Sequence, residues 1–235
     1  MTKTMSILGR RIGVGTPVYM IAEMSANHGG DFEQAVRIIH AARDAGADAI
    51  KLQTYTPDTM TIDCRKDEFV VGKDTLWEGR SLYDLYGEAF TPWEWHPELK
   101  RIAQSVGLHL FSSPFDSTAV DFLETIDVPA YKVASFELVD NPLLRRIGAT
   151  RKPVIMSTGM ATISEIEEAV TVLREAGSKQ IAILKCTSAY PAPAEEMNLR
   201  TIPSLSDVFG CPVGLSDHTL GIAVSVAAVS LGACI

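Results

Sequence analysis

The sequence predicts a (β/α)8 TIM barrel spanning residues 1–235 as one α/β domain and truncated within strand eight. Short apolar runs alternate with helix-period segments, which is the pattern of a parallel sheet with right-handed crossovers. Those runs end in polar residues: Glu23, Lys51 with Gln53, Ser112 with Ser113, Lys132, Ser157, Lys185, and Ser216-Asp217-His218. In such a barrel the carboxyl ends of all strands converge on one face, where active sites sit. Residues this distant in sequence therefore read as one pocket, and the pocket as that of an enzyme.

The elements follow in order. A small hairpin is expected around Gly9–Gly15, then a first strand at 18–23. Asp31 opens a helix in which Ala35, Ile38, Ile39, Ala42 and Ala45 recur at helical spacing until Gly46 stops it. The second strand is 49–54, followed by a connection at 55–90 too long to be a simple turn. Thr91-Pro92 marks a helix over 92–105, Gly107 ends it, and 108–112 is the third strand. The alternation continues with helix 116–125, strand 130–133, helix 141–149, strand 153–157, helix 163–176 and strand 181–186. Ser164 with Glu167 matches a capping box. A less regular helix at 198–208, strand 212–215 and helix 220–231 follow, and the last residues open an eighth strand. A barrel built from these elements alone would keep an open seam.

Length and composition fit one sizeable soluble core, with 46% apolar and 21% charged residues. The net charge of −8 argues against a nucleic-acid partner, although a few lysines focused in a cleft can still hold an anion. Cys64, Cys186, Cys211 and Cys234 are scattered without a CxxC pair, and Cys186 and Cys234 sit in strand-like, buried contexts, so they read as reduced core thiols. No apolar run reaches the ~18 residues of a membrane helix, and the N-terminus lacks a signal-peptide core. A cytoplasmic location and no membrane partner are expected.

Lys51 and Lys132 lie in otherwise apolar strands, where an unpaired ammonium is costly; each needs an anion or a lowered pKa. A ligand phosphate or carboxylate is the preferred partner, because Ser135, Ser157 and Ser216 also lie at strand ends and can donate to it. Pairing with Glu23 or Glu137 is the plainer alternative. His218 could bind a metal, move a proton or bond a neighbouring loop, and His28 shares that ambiguity. Asp217 could orient an imidazole or cap the next helix. Glu23 could act as acid or base, bind a sugar hydroxyl, or pair with Lys51. Trp77, Tyr83, Tyr86, Trp93 and Trp95 are read first as packing the long connection, and second as a stacking platform for a sugar.

Taken together, IAEMSANH (21–28), DAIKLQTYTPDTM (48–60), FSSPFD (111–116), YKVASFE (131–137), STGMA (157–161), LKCTSAYPAP (184–193) and GLSDHTLG (214–221) resemble the sialic acid synthase family of phosphoenolpyruvate-condensing enzymes. LWEGRSLYDLYGEAFTPWEWH (76–96) is most similar to the pseudaminic acid branch. The resemblance implies condensation of phosphoenolpyruvate with a 2,4-diacetamido-2,4,6-trideoxy-L-altrose, releasing phosphate by C–O cleavage. It implies a divalent metal (Mn2+, Mg2+ or Co2+) with His218 as one ligand and a second histidine beyond Ile235. Lys51, Lys132, Ser135, Ser157, Ser188, Tyr190 and Ser216 would bind phosphoenolpyruvate, with Glu23, Glu137 and His218 assisting the chemistry; many members carry Asn where Ser188 stands. It also implies a homodimer in the full-length protein and a C-terminal antifreeze-like domain absent from these 235 residues. The alternatives are an N-acetylneuraminate or legionaminate synthase, a Schiff-base aldolase using Lys132, and a non-catalytic barrel that binds acidic sugars or phosphoenolpyruvate.

Overall fold

A computed structural model describes residues 3–72 and 77–235; part of the long connection, including Leu76 of the LWEGR stretch, lies outside the described residues. The chain divides into two compact units, Met1–Ile21 with Asp127–Ile235, and Ala22–Ile126.

The N-terminal hairpin is β1 (Thr4–Ile7) and β2 (Arg10–Gly13), antiparallel with Ile7 opposite Arg10. It begins earlier than the glycine spacing suggests. Its two-residue turn holds Leu8 and Gly9 at φ 47° and 81°, the left-handed pair that matches the twist of the flanking strands.

β3 (Ile21–Glu23) leads into the smaller unit and is shorter than the predicted run 18–23. Helix α1 (Phe32–Asp44) is capped by Asp31, whose side chain accepts from the Glu33 amide, and it buries Ala35, Ile39 and Ala42 on one stripe. β4 (Ala49–Thr54) matches its predicted bounds. The long connection is not structureless: it carries α2 (Pro57–Met60) and α3 (Leu82–Ala89), joined by a hydrogen bond from the Tyr83 hydroxyl to Asp58. The predicted helix 92–105 is a 3-10 turn at Trp93–Trp95 followed by α4 (His96–Ser105). Pro97 explains the difference. It has no N–H and its ring would clash with a carbonyl one turn earlier, so it fits only in a helix's first turn. β5 (His109–Pro114) runs parallel to β4 with Gln53 opposite Ser113, and Asp116 caps α5 (Ser117–Thr125).

The larger unit resumes with β6 (Tyr131–Val133), α6 (Asn141–Ala149), β7 (Val154–Ser157), α7 (Ile163–Ala176) and β8 (Ile181–Cys186). It continues with α8 (Thr201–Phe209), β9 (Val213–Ser216) and α9 (Ala223–Ser230). The capping box of α7 is Thr162 with Glu165, not Ser164 with Glu167. Thr162 is the last extended residue, whereas Ser164 already lies inside the helix. Two left-handed residues, Asn198 at φ 45° and Gly221 at φ 82°, delay α8 and α9 relative to the predicted starts.

Strand order follows chain order in both units: β3-β4-β5 in the smaller, β6-β7-β8-β9 in the larger, with parallel pairing. The last two residues behave as the opening of an eighth strand. The Cys234 amide bonds the Val213 carbonyl at 2.9 Å, the Leu215 amide bonds the Ile235 carbonyl at 2.9 Å, and the Tyr19 amide reaches the Cys234 carbonyl at 2.9 Å. The end of the chain thus lies between β9 and the residues that precede β3, which is the adjacency an eight-stranded α/β barrel requires. Gly214 permits it: a Cβ there would stand 2.5 Å from the Ile235 carbonyl oxygen. Among the described residues no helix is long and apolar enough to cross a membrane.

Candidate active site

Strand ends β6 to β9 and their loops bring eight predicted residues into one neighbourhood of the larger unit. Lys132 is 5% exposed, and its ammonium donates to the Ser157 hydroxyl at 2.6 Å and the Val133 carbonyl at 2.7 Å. Both partners are neutral, and among the described residues no carboxylate forms an ion pair with it. Burial pushes this lysine down to about 8, while the nearby charges of Cys186 and Glu137 oppose the shift. This removes one objection to a Schiff-base lysine, the lack of anything to depress its pKa: desolvation alone suffices.

The loop after β7 carries Gly159, whose amide donates to the Ser135 hydroxyl at 3.1 Å. Ser188, in the loop after β8, has a buried hydroxyl with no hydrogen-bond partner, and so does one carboxyl oxygen of Glu137. Buried polar atoms are rarely left unsatisfied, so two orphans in one site point to groups that a ligand completes. Burial also raises the Glu137 pKa, opposed by a hydrogen bond with its own backbone and by the Lys132 charge. At the end of β9 the Ser216 hydroxyl lies 3.4 Å from His218 Nε2, and the Tyr190 ring packs on the imidazole at 4.3 Å between centroids. Tyr190 itself is 73% exposed, covering the site from outside.

Cys186 is the residue the sequence reading missed. It is a free, buried thiol, but not an inert one. Burial opposes its ionisation, yet hydrogen bonds involving His218, Ser135 and Ser216 outweigh that and bring it down to about 7. Its place in β8 beside Ser216 of β9 was the available signal, because the strand that ends in Lys185-Cys186 faces the one that ends in Ser216-Asp217-His218. Lys185 turns instead to its own loop, donating to the Cys186 carbonyl at 2.7 Å and the Thr187 hydroxyl at 3.1 Å. Among the described residues Asp217 bonds no imidazole nitrogen directly. One of its oxygens accepts from the Thr219 amide and hydroxyl, and the other from the Ser225 hydroxyl in α9.

In the smaller unit, Lys51 and Glu23 form an ion pair, the plainer alternative for the lysine. Glu23 also accepts from the Ser25 amide at 3.0 Å. His28 is structural: its ring accepts from the Gly30 amide, meets the Thr91 hydroxyl at 3.1 Å and packs edge-on against Trp95. Most of the aromatic set packs the connection, with Tyr86 against Tyr55, Trp93 stacked on Phe122 and its indole N–H on the Tyr55 carbonyl. Trp77 differs. It is 49% exposed and lines a cavity of about 360 Å³ with Asn27, Arg80 and Glu88.

Among the described residues no group of three or more His, Cys, Asp and Glu side chains could hold a metal ion. His218 offers one donor, and one donor does not make a metal centre.

The NeuB family model matches residues 38–235. The chain belongs to the NeuB family. Among curated proteins, this NeuB-family chain is 45% identical over 217 residues to the pseudaminic acid synthase of Helicobacter pylori, covering 92% of the chain and 64% of that protein. It is 48% identical over 216 residues to the pseudaminic acid synthase of Campylobacter jejuni, covering 92% and 63%. The chain therefore spans less than two thirds of these relatives. Among solved structures it matches an N-acetylneuraminic acid (sialic acid) synthetase from Leptospira borgpetersenii with a TM-score of 0.89 and 32% identity, over 100% of this chain and 77% of that one. The α/β fold of this NeuB-family chain is thus shared with that solved synthetase.

Proposed function

We propose that this chain is the catalytic barrel of a nonulosonate synthase that condenses phosphoenolpyruvate with 2,4-diacetamido-2,4,6-trideoxy-L-altrose, giving pseudaminic acid and phosphate. The observation that carries this reading is Lys132, a buried ammonium hydrogen-bonded to two neutral oxygens, the Ser157 hydroxyl and the Val133 carbonyl. Such a group is costly unless an anion completes it. Identity of 45–48% to proteins named pseudaminic acid synthase supports the choice of sugar.

In this reading Lys132, Ser135, Ser157, Ser188 and Ser216 hold the phosphate and carboxylate of phosphoenolpyruvate. Tyr190 covers them. Glu137, whose pKa is raised by burial, stands beside the reacting carbons as a proton source. C3 of phosphoenolpyruvate attacks the sugar aldehyde, water adds to C2, and phosphate leaves with the bridging oxygen. A divalent metal is proposed as cofactor, with His218 as one ligand; when bound it would polarise the aldehyde as a Lewis acid. The described residues do not complete that centre, so no step above depends on it.

The reading is tested with phosphoenolpyruvate labelled at its bridging oxygen, the altrose derivative, and N-acetylmannosamine as competitor. Labelled phosphate released in preference with the altrose derivative is the expected result. A borohydride-trapped pyruvate adduct on Lys132 would replace it with the aldolase reading. The metal is tested separately by calorimetry with Mn2+ in the full-length protein. His218→Ala should weaken Mn2+ binding by about a hundredfold or more, as loss of an inner ligand does; unchanged affinity would remove His218 from the metal's ligands.

A further inference from the structure

Gly159 follows Ser157-Thr158 in the loop after β7, and its φ is not in the left-handed region that calls for glycine. An alanine could adopt this backbone. What excludes it is the space: a Cβ at 159 would stand 2.2 Å from the Ser188 hydroxyl oxygen, 2.9 Å from that of Ser135 and 3.4 Å from the Cys186 sulfur. The obstructing atoms closer than 3 Å are ends of serine side chains rather than backbone. An added methyl would therefore turn the hydroxyls away and leave the fold standing.

The Gly159 amide also acts on Ser135. Because it donates to the Ser135 oxygen at 3.1 Å, that hydroxyl is an acceptor towards the loop and must send its own proton elsewhere. The Cys186 sulfur lies on the same side, 3.4 Å from the position a Cβ at 159 would take. The Ser188 hydroxyl beside it is buried and has no hydrogen-bond partner, so the two hydroxyls that flank Gly159 each keep a proton to donate.

We propose that Gly159 is a positioning residue, whose bare Cα and N–H together aim the Ser135 and Ser188 hydroxyls at the anionic oxygens of the substrate. The inference rests on the phosphoenolpyruvate reading above for the identity of that anion, but the aiming itself belongs to the free protein.

Two measurements on the full-length protein separate these. Calorimetry with phosphoenolpyruvate should show Gly159→Ala binding about tenfold or more weakly, the loss expected when hydrogen bonds to a charged ligand are misdirected. In a Ser135→Ala/Ser188→Ala background the same change should cost less than about twofold, because the groups it acts through are gone. A general structural defect would cost the same factor in both backgrounds, and that result overturns the proposal. The second measurement needs no ligand. The alkylation rate of Cys186, followed by peptide mass spectrometry, should change in Gly159→Ala, since the hydroxyls around the sulfur have turned. An unaltered rate overturns the proposal even if phosphoenolpyruvate binds. A parent protein that fails to bind phosphoenolpyruvate, with a Cys186 rate that does change, overturns the substrate and keeps the aiming.

Discussion

Lys132→Met is expected to abolish phosphoenolpyruvate binding while raising the melting temperature. The two effects come from one cause. The lysine is pushed from 10.5 down to about 8 by burial, so at neutral pH the folded protein holds a charge that the unfolded chain solvates better. The gap between 10.5 and about 8 corresponds to roughly 3 kcal/mol against folding. Methionine removes the charge and keeps the volume, although the Ser157 hydroxyl and Val133 carbonyl lose a donor, costing about 1 kcal/mol or more. The net gain should appear as a rise of a few degrees, at about 2–4 °C per kcal/mol for a chain of this size. The sign can be checked against pH. Between about 8 and 10.5 the unfolded chain binds the lysine proton and the folded one releases it, so stability of the parent rises with pH across that window. The rise should vanish from the parent-minus-variant difference below pH 8. A variant that melts lower and still binds the ligand would show that Lys132 is a structural group.

The second large effect is acid sensitivity through His96. Its ring is fully buried in the smaller unit, with Nδ1 against the Pro92 carbonyl at 3.2 Å and Nε2 against the Thr54 hydroxyl at 2.9 Å. Ser112 bonds the same Thr54 oxygen at 2.6 Å, so the neutral imidazole sits in a satisfied chain of hydrogen bonds. Burial lowers its pKa from 6.5 to about 4, with the Pro92 carbonyl opposing. The unfolded chain therefore takes up the proton first. Stability is intact above pH 6.5, is lost as pH falls through the window, and is down by about 3 kcal/mol once pH reaches 4. Denaturant melts at pH 7 and pH 4.5 should show this fall in the parent. His96→Asn should be less stable at pH 7 but lose much less on acidification. An equal fall in both proteins would assign the acid limb to other groups.

His96 and Cys186 also mark where reading the sequence reaches its limit. Strands β4 and β8 and helices α6 and α7 were legible to the residue because local periodicity and end signals agreed there. The α7 cap was not, since Thr162-x-x-Glu165 and Ser164-x-x-Glu167 fit the same template and only the position of the last extended residue separates them. The polar strand ends were visible as a set, which is why Lys132, Ser157 and Ser216 could be named. Which groups face which was not visible. The hydroxyls around Cys186 and the neutral niche of His96 are facts of register and burial, properties that no single stretch of chain encodes.

Asp217 has one more consequence. By grasping Thr219 with one oxygen and Ser225 of α9 with the other, it splints the stretch on which His218 rides. The direction of that imidazole is inherited from a helix rather than from a free loop. One residue inserted between 217 and 225 would slacken the splint and swing the ring off its bearing, whereas insertions at the far end of α9 would leave it undisturbed.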